Sequence, residues 1–357
     1  MSEYKYKGKN HYTCPMNEGD EYRQRYLDSV RAFISTELEK SEKKRADFCP
    51  PEKMAAERED FRRKYIKMIG QPTLEYPKDV PSVKEEFVGE DDFCKIWRLS
   101  LEVMPGFFSY GILMRPHGIE RAPLVIAQHG GGGTPEKCSD MWGENNYGFF
   151  VKRILERGFS VFAPQIMVWD FKVPDEREEA PHGVPYGHRR DYDKQLKRLG
   201  LSLTGLEIFC IRRAIDYLST LDFVDSGRIG MTGLSYGGYF TLYTMAAEPR
   251  IMAGYSGAAF NDRAKECFLD WGYFDSANTF QDAEVAGLCA PRLLLVDVGR
   301  EDVVFNYEHS IAEAERAKAY YKAADAENML VYNLHGGGHR FDVNGENFDR
   351  FFAELEK

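Results

Sequence analysis

Apolar positions along the chain recur with two different periods, and the change from one to the other divides it. Tyr22, Tyr26, Val30, Phe33, Ile34 and Leu38 fall on one face of a helical repeat with charges on the other, the pattern of an amphipathic helix. A second such helix is predicted from Pro50 and Pro51 through Met54, Phe61, Tyr65, Met68 and Ile69, ended by Gly70, Gln71 and Pro72. Residues 1–79 are read as a helical N-terminal arm, with three roles open to it: a cap, an oligomer contact, or packing along the flank of the main domain.

From about residue 80 the period shortens. VKEEFVG, FCKIWRLSLEVM and FFSYGILMRP carry alternating or β-branched apolar residues separated by turn residues, which predicts an antiparallel meander. PLVIAQ, FSVFAPQI, RIGMTGL, IMAGYSG, PRLLLVDVG and NMLVYNL are continuously apolar and alternate with helical stretches, among them one in which Ile208, Ile211, Ile215 and Leu218 share a face. Strands that are apolar on both faces and joined by helices predict a mostly parallel sheet covered on both sides. The expected fold class is therefore α/β, with antiparallel strands leading into a parallel sheet and a main domain over 80–357 interrupted by insertions near 167–200 and 259–280. In such sheets ligands bind beyond the carboxyl ends of the strands. The polar residues that follow the apolar runs are His129 with its glycines, Ser235, Asp302 and His339.

The sequence has 47 basic and 57 acidic residues, net −10, which disfavours a general nucleic-acid binder. No run approaches a membrane span, and MSEYKYKGKNHYTCPMNEGDEY lacks the apolar core of a signal peptide, so a soluble cytoplasmic protein without membrane partners is expected. The seven cysteines are scattered and never form a C-x-x-C pair, which argues for apolar fillers or thiols rather than disulfides or zinc.

Gly233-Leu234-Ser235-Tyr236-Gly237 is a G-x-S-x-G pattern with a strand before it and a helix after it. A serine at the tip of so sharp a turn sits in a strained conformation, and the glycines on either side remove side chains that would crowd the neighbouring strand and helix. The amide of Tyr236, at the helix N-terminus, faces the space where an oxyanion would form. A serine needs a base, and a histidine and carboxylate follow in the order Ser, Asp, His: Asp302 after RLLLV and His339 after MLVYNL.

Glu301 and Asp297 are rival acids, but Asp297 lies inside an apolar strand and Glu301 faces differently from its neighbour. His335 and His339 share i, i+4 spacing, yet three intervening glycines speak against a helix and a metal pair, which leaves His335 structural and His339 the better base. His129-Gly130-Gly131-Gly132-Gly133 follows a strand on the same edge; the N–H of Gly130, Gly131 or Gly132 is expected to be the second oxyanion donor, with His129 bracing the loop. No phosphate-loop spacing is present.

In the order HGGGG, GLSYGG, GREDVV, GGGHRF the chain resembles the α/β-hydrolase superfamily, in the branch that contains dienelactone hydrolases, acetyl xylan esterases and prolyl-oligopeptidase catalytic domains. The likeness spans roughly residues 80–357, and the arm ending in KMIGQP is similar to the extension of some acetyl-xylan-esterase-like members. Dienelactone hydrolases use cysteine where residue 235 is serine, and prolyl oligopeptidases place a propeller where only about eighty residues without a blade repeat stand. The resemblance implies a serine carboxylesterase acting on a short acyl ester, first an acetyl ester of a carbohydrate, with a peptidase or amidase and a silent binding scaffold as alternatives. No metal or organic cofactor is signalled, and the chemistry needs none. In the two insertions Arg189, Arg190 and Trp271 are candidate substrate contacts, weighed against a solvated lid with buried anchors.

Overall fold

The computed structural model describes residues 10–143, 147–169, 183–184, 186–266, 268 and 270–357. Parts of both insertions, the first nine residues of the arm and Cys267 lie outside the described residues. Among those described, nine strands form one sheet in the order β1-β2-β3-β5-β4-β6-β7-β8-β9. β1 (Ser82–Glu90), β2 (Cys94–Met104) and β3 (Phe107–Pro116) pair antiparallel, and β3 joins β5 (Ser160–Pro164) the same way. From there β5, β4 (Ala122–Gln128), β6 (Val224–Leu234), β7 (Ile251–Gly257), β8 (Leu293–Gly299) and β9 (Leu330–His335) run parallel.

β4, β5, β7, β8 and the second half of β6 are largely apolar because both of their faces are covered. Leu124 and Ile126 of β4 join one core while Val125 and Ala127 join the other, and Leu294 and Val296 of β8 split in the same way from Leu293 and Leu295. One face carries α7 (Leu203–Leu218), α8 (Tyr236–Ala247), α10 (Asp282–Cys289) and α11 (Tyr307–Ala323); the other carries α5 (Phe150–Glu156) and α12 (Asn347–Leu355), whose Phe348, Phe351, Phe352 and Leu355 make one buried stripe. The short α4 (Pro135–Cys138), α6 (Tyr186–Lys197) and α9 (Ser276–Thr279) complete the helices of the domain.

The arm is α1 (Asp20–Phe48), α2 (Pro51–Ala56) and α3 (Arg58–Met68). The second predicted helix is thus two, broken at Glu57, whose φ of −116° and ψ of 33° leave the helical region. The break lets Met54 pack beside α10 and α11 while Phe61 and Tyr65 reach α8. Both rings are fully buried, each stabilising the docked arm by about 1.5–3 kcal/mol. Tyr65 Oη donates to Tyr243 O at 2.8 Å, and Arg45 pairs with Glu284 at 3.5 Å. Of the roles open to the arm, flank packing describes its second half; the first half of α1 is exposed throughout.

No helix among the described residues is long and apolar enough to cross a membrane. Cys49, Cys94, Cys138 and Cys289 are buried thiols, and Cys14 is exposed.

Under the arm lies a cluster of buried charge. Glu313 on α11 accepts from the Ala283 N–H at 2.8 Å and from Arg316 at 2.8 Å, with Glu284 close by. Burial first, and then the Glu284 charge, outweigh Arg316 and push the Glu313 carboxyl up to about 8. Its folded value lies above the unfolded one, so its contribution to stability is full below the unfolded value of 4.5 and is lost as pH rises through about 8. Urea unfolding should therefore show Glu313→Gln gaining on the parent as pH rises from 5 to 8. A pH-independent gap would mean that Glu313 is ionised in the fold.

Candidate active site

Ser235 has φ 60° and ψ −119°, a conformation L-residues rarely adopt. The turn is held from both sides: the Ser235 N–H donates to Gly257 O at 2.8 Å, and its carbonyl accepts the Tyr239 N–H at 2.9 Å as α8 begins. The flanking glycines are required sterically. A Cβ at Gly233 or Gly237 would strike the Gln128 carbonyl of β4, and one at Gly238 would strike the Gly257 carbonyl of β7. Close backbone approach thus forces the strand to end and the helix to start within one residue, with the serine at the tip.

Asp302 and His339 follow β8 and β9 on the same edge. His339 Nδ1 lies 2.8 Å from Asp302 Oδ2, with the carboxylate 1 % exposed and the imidazole 20 %. Asp302 Oδ1 accepts the Val304 and Phe305 N–H groups at 2.7 and 3.2 Å. Burial works to raise this carboxyl, but the His339 hydrogen bond and charge, with the two amides, outweigh it and hold the group below the usual aspartate range. Nδ1 is committed to Asp302, which leaves Nε2 to exchange a proton with a nucleophile. Ser235 and His339 line one cavity of about 280 Å³, together with Gly130, Gly131, Tyr147 and Tyr186.

Glu301 is exposed, whereas Asp297 is fully buried in a structural role. Asp297 accepts from Asn333 Nδ2 at 3.1 Å, Asn347 Nδ2 at 2.6 Å, the Asp342 N–H at 2.9 Å and the Tyr255 hydroxyl, and so ties the His339 loop to the sheet. His335 braces the same loop: its Nδ1 accepts the Gly337 N–H at 3.0 Å and its Nε2 donates to Arg340 O at 3.1 Å.

The glycine loop after β4 narrows the three candidate donors. Gly130 N–H donates to the Tyr147 hydroxyl at 2.7 Å and Gly132 N–H to Val168 O at 3.1 Å, so two of the three are already engaged. Gly131 N–H has no hydrogen-bond partner among the described residues, and with Tyr236 N–H at the helix N-terminus it makes the pair that remains for an oxyanion. A Cβ at residue 131 would meet the hydroxyl end of the exposed Tyr186 side chain, which would have to swing aside. His129 braces the loop from below, its Nδ1 donating to Gly130 O at 2.7 Å and its Nε2 accepting the Ile166 N–H at 3.1 Å. Burial lowers it to about 4, so it is neutral in neutral solution.

The three expected substrate contacts are not brought to the cavity. Arg189 is completely buried: its Nη1 and Nη2 donate to the two oxygens of Glu207 at 2.9 and 2.8 Å and its Nε to Asp270 at 2.7 Å. Asp270 also accepts the Tyr236 hydroxyl at 3.0 Å, so the guanidinium clamps both insertions to the turn that carries Ser235. Trp271 is buried as well, stacked on Tyr239 at 4.1 Å between ring centroids. Arg190 is exposed and away from the cavity lining. In their place the cavity wall holds Lys137, Tyr147, Tyr186, Phe268 and Val304. Tyr147 opens the apolar run YGFFVKRIL and reads as a helix-face residue, so periodicity gives no sign that its hydroxyl turns to the glycine loop.

A family model described as the prolyl oligopeptidase family matches residues 211–354, and one described as the dienelactone hydrolase family matches residues 138–266. Among solved structures, a glucuronoyl esterase from Solibacter usitatus is 14 % identical with a TM-score of 0.61, over 84 % of this chain and 92 % of that one. Methylesterase BT1017 is 19 % identical with a TM-score of 0.64, over 90 % and 68 %. Acetyl Xylan Esterase 1 from Thermoanaerobacterium sp. JW/SL YS485 is 14 % identical with a TM-score of 0.56, over 84 % and 93 %. At these identities the likeness is one of fold.

Two stability measurements check this geometry. Ser235→Gly should be about 1 kcal/mol more stable than Ser235→Ala, because glycine relieves the positive φ; equal urea midpoints would mean the turn is unstrained. Arg189→Met should cost about 3–5 kcal/mol by stranding two buried carboxylates, while Arg190→Met should stay within about 0.5 kcal/mol.

Proposed function

We propose that this chain, which belongs to the α/β-hydrolase superfamily, is a serine esterase that cleaves short acyl esters of a carbohydrate or another small alcohol. The observation that carries the reading is Ser235 on its strained turn, sharing a cavity with a histidine whose Nδ1 is held by a buried aspartate. Ser235 Oγ attacks the ester carbonyl carbon and its proton passes to His339 Nε2. The carbonyl oxygen gains the negative charge and is stabilised by the N–H groups of Tyr236 and Gly131. As the imidazolium forms, Asp302 stabilises it. Collapse breaks the carbon–alkoxy bond, and the alkoxide leaves with the proton from Nε2. Water attacks the acyl-enzyme, giving its proton to the same nitrogen, and the acid departs while Ser235 recovers its hydrogen.

A cavity of about 280 Å³ walled by tyrosine, phenylalanine and valine supports a small acyl group. That the fold neighbours include proteins described as acetyl xylan, glucuronoyl and methyl esterases supports ester chemistry on a carbohydrate. The match to the prolyl oligopeptidase model favours an amide as the second reading, against which the narrow cavity weighs.

The test is release of alcohol and acid from nitrophenyl acetate, butyrate and octanoate and from acetylated sugars. The parent is expected to turn over, with kcat/KM falling as the acyl chain lengthens. Ser235→Ala should abolish turnover, Asp302→Asn should lower kcat by about 10³–10⁴-fold, and Glu301→Gln should stay within about twofold. Cleavage of peptides but not esters by the folded parent would overturn the reading, and so would retained turnover in Ser235→Ala.

A further inference from the structure

The N-terminal half of α1 carries an apolar stripe that nothing in the chain's described residues covers. Tyr22, Tyr26 and Phe33 are 77 %, 74 % and 67 % exposed, and Leu27, Val30 and Ile34 are exposed beside them. The stripe continues a docked face. Leu38, Ser41, Arg45 and Phe48, further along the same side of the helix, lie against the flank formed by α9 and α10. Beyond residue 36 toward the N-terminus every residue of the helix is exposed, over about 25 Å at 1.5 Å per residue. Packing of an apolar face supplies most helical stability in proteins, and here half of one helix presents that face to no partner among the described residues.

We propose that this half-helix is a dimerisation arm that pairs antiparallel with the same segment of a second copy. A two-fold axis demands a surface that complements itself, and an axis through Val30 meets that demand. It sets Tyr26 against Ile34 and Leu27 against Phe33, and it brings Arg23 of one copy to Glu37 of the other at both ends. The six apolar side chains offer on the order of 600–800 Å² per copy, near the share that a stable interface needs. In this arrangement the tip of each arm, with the exposed Tyr12 and Met16, reaches the body of the other copy, which is attached at the opposite end of the paired helices. A membrane surface is the poorer occupant. The polar side of the helix alternates Glu21, Arg25, Asp28 and Arg31, and the chain carries net −10, whereas helices that lie on membranes collect lysine and arginine on that side.

Light scattering after size exclusion, on the full chain from about 1 to 100 µM, should give twice the chain mass for the parent and the single mass for Tyr26→Glu/Phe33→Glu, with unchanged near-UV circular dichroism. As an independent reading, Val30→Cys in a Cys14→Ser background should oxidise to a disulfide-linked dimer, while Cys14→Ser alone should not. A parent that stays single at the highest concentration overturns the proposal, and if it then sediments with phosphatidylcholine–phosphatidylglycerol vesicles the stripe is a lipid contact instead. A dimer that survives both glutamates overturns it too. Dissociation by the glutamates without cross-linking at residue 30 overturns the antiparallel register.

Discussion

The structure depends most on how closely α8 approaches the strand beside its own. The carbonyls of Gln128 and Gly257 leave no space for a Cβ at residues 233, 237 and 238, and this closeness is what holds Ser235 at a positive φ. The N-terminus of α8 then stands directly over the end of β4, so the glycine loop after β4 and the Tyr236 amide face one another across the serine. Loosening the packing at any of the three glycines would relax the turn and move two groups of the site together.

Much of this was legible in the residues. All nine strands fall on the predicted runs, β1 to β3 on alternating ones and the parallel strands on continuous ones, and α7 follows the stripe of Ile208, Ile211, Ile215 and Leu218. The sharp turn at Ser235 could be read from its glycines, and the meeting of Asp302 and His339 on the same edge from their place just past the ends of β8 and β9. The break at Glu57 was hidden, since the apolar spacing runs through it and only the differing surfaces beneath Met54 and Phe61 require it. The fate of Arg189 was hidden for a related reason. An arginine in a polar insertion looks like a ligand for substrate until Glu207 and Asp270, far away in sequence, are found on either side of it. Likewise, which glycine amide stays unpaired is decided by Tyr147 and Val168, and no local pattern points to either.

Around Ser235, Asp302 and His339 stands a set of residues whose work is to hold loops in place. His129 locks the glycine loop, His335 and Asp297 lock the loop of His339, and Arg189 locks the insertions onto the serine turn. Two of these are histidines that spend both ring nitrogens on backbone groups, and the buried one is lowered to about 4. The geometry of the glycine loop is accordingly insensitive to acidity across the neutral range, so a change of protonation at the cavity alters the chemistry without reshaping that loop.

The order in which the sheet is threaded has a consequence for the life of the chain before it is complete. Ser235 closes β6 near the middle of the sheet, whereas His339 follows β9 at its edge, about a hundred residues later in the chain. A domain folds as a unit, and the Ser235 turn leans on Gly257 of β7, so the turn and the loop of His339 come into place together once β9 has been made. A product cut short before β9 would, under the mechanism proposed above, keep Ser235 but lack the residue assigned as its base.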